Sequence, residues 1–117
     1  AGHYQHALSV NEAELSMLRR IGASEEDLLV VQTNLANTYA NSGRLEQALK
    51  IARDVYSGRM MLNGEEHRQT LVAKTNYASS LVGLQRFEEA KSLLRKTMPV
   101  ARRVLGKFDH LTIRMKM

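Results

Sequence analysis

Residues 28–49, LLVVQTNLANTYANSGRLEQAL, return 42 positions later as residues 70–91, TLVAKTNYASSLVGLQRFEEAK. Extended to 28–72 against 70–114, the two stretches share eleven identities in 45 positions, where composition alone gives about three. Among them are Leu29/Leu71, Thr33/Thr75, Asn34/Asn76, Ala36/Ala78, Arg44/Arg86 and Ala48/Ala90. Gly22, Gly64 and Gly106 keep the same interval of 42. The opening GHYQHAL of residues 2–8 matches GRLEQAL of residues 43–49. Self-similarity at a fixed period marks a repeat architecture. The frame predicts a partial repeat over 1–22, full repeats over 23–64 and 65–106, and the start of another over 107–117. With Ala1 in first place, the chain is expected to be a piece of a longer array.

Each repeat reads as two helices. From Leu28 to Ser42 the apolar residues fall at 28, 31, 35, 36 and 39, a helical spacing. Ser24-Glu25-Glu26-Asp27 ahead of them is a capping-box-like start, with acids at the favourable end of the helix dipole. Ser42-Gly43 supplies the stop, because glycine takes the left-handed conformation at little cost. A second helix over about 45–62 carries Leu45, Ala48, Leu49, Ile51, Ala52 and Val55 on one face and ends at Asn63-Gly64. The pattern recurs over about 68–83 and 87–105, a further helix begins near His110, and the first runs from about Tyr4 to Arg20. No segment alternates with period two, so no strand is expected. Short connections make neighbouring helices antiparallel. The expected fold is all-α, a superhelix of stacked hairpins.

Leu35-Ala36, Tyr39, Gly43-Arg44-Leu45 and Ala48, followed by Asn76-Tyr77-Ala78, Leu81, Arg86-Phe87 and Ala90, resemble the tetratricopeptide motif. Ala36 and Ala48 are small where the two helices of a hairpin approach, with Tyr39 and Leu45 beside them. The 42-residue period is similar to the kinesin-light-chain type, in which a long second helix ends in Leu-Gly-x-x-His-Pro-x-Thr. Here those loops read Asn63-Gly64-Glu65-Glu66-His67-Arg68-Gln69-Thr70 and Leu105-Gly106-Lys107-Phe108-Asp109-His110-Leu111-Thr112. The proline is missing from both, and the second histidine stands one place late.

The resemblance implies a right-handed superhelix whose concave side is lined by the first helix of each pair. There Val30, Asn34, Asn37 and Asn41 share one stripe, matched by Val72, Asn76 and Ser79, with Lys74 close by. Asparagine is a poor helix former, and its amide pairs well with a peptide backbone. The alternative is a solvated polar face, or amides bridging helices. By resemblance, Asn34 and Asn76 stand at the recurring groove asparagine. The implied function is a non-enzymatic scaffold that binds a partner peptide or helix, acidic ones included.

Composition narrows the rest. With no cysteine among 117 residues, disulfides, thiolate metal sites and a cysteine nucleophile are excluded. Aromatics make up 5%, too few for a base-stacking platform. No apolar run approaches the roughly 20 residues that span a bilayer. No basic and apolar leader pattern opens the chain, which suggests a cytoplasmic setting. Residues 1–58 carry five basic and seven acidic groups, and residues 59–117 carry twelve and five. The basic half offers a second reading, contact with nucleic acid or an anionic membrane through the basic last long helix with Lys91, Arg95, Lys96, Arg102 and Arg103, of which Lys91, Arg95 and Arg102 are expected on one convex face opposite Leu94, Ala101 and Leu105, a solvated face being the plainer reading. Nucleic acid is nonetheless not the expected partner. A third reading is a spacer between other domains. His3 and His6 share a helix face, but no third metal ligand is evident. His67 and His110 are expected to cap or brace the helices that follow them. No cofactor and no small-molecule substrate are expected, since no Walker loop, Gly-x-Ser-x-Gly or His-Glu-x-x-His occurs. Self-association through the terminal helices is a further expectation.

Overall fold

The computed structural model describes residues 2–106 and 109–115, and the side chains from Tyr4 onward within them. Six helices follow one another: α1 (Gly2–Arg20), α2 (Glu25–Asn41), α3 (Leu45–Asn63), α4 (Arg68–Gly83), α5 (Phe87–Leu105) and α6 (His110–Arg114). No strand occurs among the described residues. Every helix packs on its sequence neighbours, and α6 also touches α4. The result is an open stack of 38 × 31 × 21 Å.

Local chemistry sets the ends. Ser24 caps α2 by accepting the Asp27 N–H, so the helix starts three residues before the first apolar position and takes the acids into its first turn. Gly43, Gly64 and Gly106 turn the chain at φ of 83°, 84° and 94°, a conformation that a Cβ disfavours. The hairpin of α4 and α5 makes the same turn with Gln85 at φ 62°. His67 caps α4, its Nδ1 accepting the Gln69 N–H at 3.0 Å. At the equivalent place before α6 stands Asp109, which accepts the Leu111 N–H at 2.9 Å. The displaced histidine is thereby explained: His67 and Asp109 are the equivalent caps, and His110 is simply the first helical residue.

The alanines at the predicted close approaches are all buried: Ala36, Ala48, Ala78 and Ala90. The core runs through the stack as successive clusters, from Leu8, Leu15, Val31 and Leu35 at one end to Leu71, Ala78, Leu94, Ala101, Leu111 and Met115 at the other. Repeats are also tied by polar contacts. Thr70 donates to the Arg59 carbonyl at 3.2 Å and Arg68 meets Asp109 at 2.9 Å; within the repeat 65–106, Arg103 pairs with Glu66. Arg59, buried in α3, is held by Glu26 of α2 and by Asn63.

Candidate groove along the first helices

The first helix of each hairpin, α2 and then α4, borders a groove of about 240 Å³ to which α3 contributes Leu45, Ala52 and Val55 and α6 contributes Arg114. Its floor is made of small apolar residues, Ala36, Ala40, Ala52, Val55 and Ala73. Small side chains there let a ligand backbone come close to the helices. The polar wall consists of Asn37 from α2, Asn76 and Ser79 from α4, and Arg114 from α6. Thr33 and Ser80 line it too, but their hydroxyls are engaged by their own helices, donating to the Leu29 and Asn76 carbonyls. The amides of Asn37 and Asn76 and the guanidinium of Arg114 make no hydrogen bond or ion pair with other described residues. Arg114 also borders a second cavity of about 180 Å³ with Thr75, Ser79 and Val82, the next station along the stack.

Of the residues expected on this surface, the structure gathers Asn37, Asn76 and Ser79 into one wall. Val30, Asn34 and Asn41 are exposed on α2 but lie outside it. Val72 is half-buried and packs against the terminal core cluster. Lys74 is a correction. It is 5% exposed, its ammonium 3.5 Å from Glu65 and 5.7 Å from the centre of the Tyr56 ring. Burial and these two partners take it out of the groove. Arg114 was missed, although the repeat interval links Val30, Val72 and Arg114, and extending the stripe by one period reaches it.

The basic residues of α5 are also placed differently from expectation. Lys91, Arg95 and Arg102 do not stand opposite Leu94. They ring a cavity floored by Leu94, Met98 and Met115, while Arg103 is neutralised by Glu66. Among the described residues no group of three potential ligands could hold a metal ion; the side chain of His3 lies outside them. No described helix is long and apolar enough to cross a membrane.

An open stack of antiparallel helical hairpins with a groove along its first helices defines a class, the helical-repeat proteins, whose curved surfaces serve binding. A family model described as Tetratricopeptide repeat matches residues 27–103, and the chain belongs to that family. Members of it are in general non-catalytic scaffolds for protein–protein interaction. Among solved structures, the crystal structure of BtubC (BKLC) from P. vanneervenii superposes with a TM-score of 0.81 at 19% identity. The match covers 97% of this chain and 45% of that one, so this chain spans less than half the length of that relative. At this identity the likeness is one of fold. No curated protein matches the chain.

Proposed function

We propose that the chain is a non-enzymatic adaptor that holds an extended segment of a partner protein along α2, α4 and α6. The observation that supports this is the combination in one groove of two unengaged amides, an unengaged guanidinium and a floor of small apolar side chains. An amide offers donors and an acceptor, the pattern an extended backbone needs. A guanidinium matches a carboxylate with two parallel hydrogen bonds. The preferred segment therefore carries an acidic side chain or a terminal carboxylate at Arg114 and small side chains over the alanine floor. The test is a peptide array of extended sequences with and without acidic residues, followed by titration of the best binder. Asn37→Ala with Asn76→Ala should weaken that binder at least tenfold with the circular dichroism unchanged. Arg114→Ala should weaken acidic binders and leave neutral ones alone. Full binding by both variants would remove the groove as the site.

A further inference from the structure

The groove and the smaller cavity beside it are one shape repeated. Thr33 and Thr75, Ala36 and Ala78, Asn37 and Ser79, Ala40 and Val82, and Ala52 and Leu94 are pairs 42 positions apart. The first member of every pair lines the groove of about 240 Å³, and the second lines the hollow of about 180 Å³. What α2 and α3 build at the first station, α4 and α5 build again at the second. Ser79 and Arg114 line both, so the two stations adjoin.

The exchanges between them change what each can hold. At the first station the Asn37 amide stands beside Ala40 and Ala52. At the second a hydroxyl replaces the amide, and valine and leucine replace the two alanines. The Thr75 hydroxyl is engaged by its own helix, donating to the Leu71 carbonyl at 2.9 Å. That leaves Ala78, Val82 and Leu94 as an apolar hollow with Ser79 and Arg114 as its polar members. No acidic residue and no aromatic ring is among the described residues that line it. Arg114 makes no ion pair with other described residues, and it stands where the two stations meet. A segment whose carboxylate meets Arg114 therefore has the hollow beside that carboxylate. In an extended chain, side chains two positions apart share one face at about 7 Å.

We infer that the partner segment continues past Arg114 and places a branched aliphatic side chain, leucine above all, in the second hollow, two positions from its acidic residue. The inference rests on the groove reading above and narrows it. The carboxylate at Arg114 belongs to an internal acidic side chain and not to a chain end.

The probes are short acetylated and amidated peptides with one aspartate at the centre of an alanine–glycine background. A single leucine is walked through the other positions, and each peptide is titrated against the whole chain. Leucine two positions from the aspartate, on one side of it, is expected to bind about tenfold tighter than the parent peptide, for the extra apolar area it buries. Leucine elsewhere should bring no gain. Val82→Phe fills the hollow and should abolish the leucine gain while leaving the parent's affinity unchanged. Should that variant not fold, Val82→Ala copies the first station and should reduce the gain. A parent peptide that binds equally well to Arg114→Ala and to Asn37→Ala with Asn76→Ala removes the groove reading and this inference with it. A parent that needs those residues, with no leucine gain at that spacing or a gain that survives a folded Val82 variant, overturns the second station alone. So does a free-acid peptide ending at the aspartate that binds tighter than the leucine peptides. A chain that sediments as a dimer and becomes monomeric in Val82→Phe also overturns it, because the hollow then belongs to a second copy.

Discussion

Lys74 and Asn76 stand two positions apart on α4 and meet different ends. Asn76 reaches the groove with its amide unengaged, whereas Lys74 turns into the packing and binds Glu65. Both lie in a polar stretch, and a one-dimensional pattern cannot separate them. The deciding partners, Glu65 and Tyr56, come from the loop before α4 and from α3. Asn37 and Ser79 were legible because they share Asn76's side of the helix; Asn34 and Asn41 were drawn in by the same stripe, yet they point past the wall. Lys74→Ala should therefore leave peptide affinity unchanged while lowering the melting temperature. A loss of binding at constant stability would return Lys74 to the groove. The buried alanines were legible outright, since small residues recur wherever two helices meet closely. Ala48, 1% exposed, has no room to grow, and Ala48→Leu is expected to cost about 1–3 kcal/mol in a denaturant titration.

The helices themselves were readable to within a few residues, because caps, glycines and apolar spacing agreed. The two hairpin turns differ instructively. Gly43 sits at positive φ without strain, while Gln85 holds the same conformation against its Cβ. Left-handed backbone costs a residue with a Cβ roughly 1–2 kcal/mol, partly offset by the entropy that glycine adds to the unfolded chain. Gln85→Gly should raise stability by about 0.5–1 kcal/mol, seen as a higher urea midpoint with an unchanged slope. Helix α5 contains Pro99 where α3 has Ser57. Proline removes one backbone donor, so the Arg95 carbonyl loses its helical partner four residues on. Pro99→Ala is expected to raise the melting temperature in a thermal scan; a fall would mean that the proline ring contributes more in packing than its missing donor costs.

Across the whole molecule, charge adds to the core: Glu26 is tied to Arg59 within one repeat, Glu89 to Arg86 within one turn of α5, and Asp109 to Arg68 across a repeat boundary. The guanidinium of Arg59 holds Glu26 below the ordinary carboxylate range, Arg86 does the same to Glu89, and Arg68 together with the Leu111 N–H does so to Asp109. A carboxyl that binds its proton less readily folded than unfolded stabilises the fold above its ordinary value, 4.5 for Glu and 3.8 for Asp. That contribution is lost as the pH falls through and below those values. The melting temperature should drop as the pH falls through and below those values, and Asp109→Asn with Glu26→Gln should flatten that drop. The Glu26–Arg59 and Asp109–Arg68 pairs were not visible in the sequence, because their partners are 33 and 41 positions apart and meet only after stacking; Arg86 and Glu89, three positions apart, are neighbours at the start of α5. The stack has a mechanical consequence as well. Among the described residues the main helix contacts run between sequence neighbours and from α6 to α4, so axial extension is met chiefly by tilting at each joint. Such a body is a spring. Pulling its ends apart would widen the spacing between Asn37 and Arg114, so that the proposed hold on a partner segment would become a function of load.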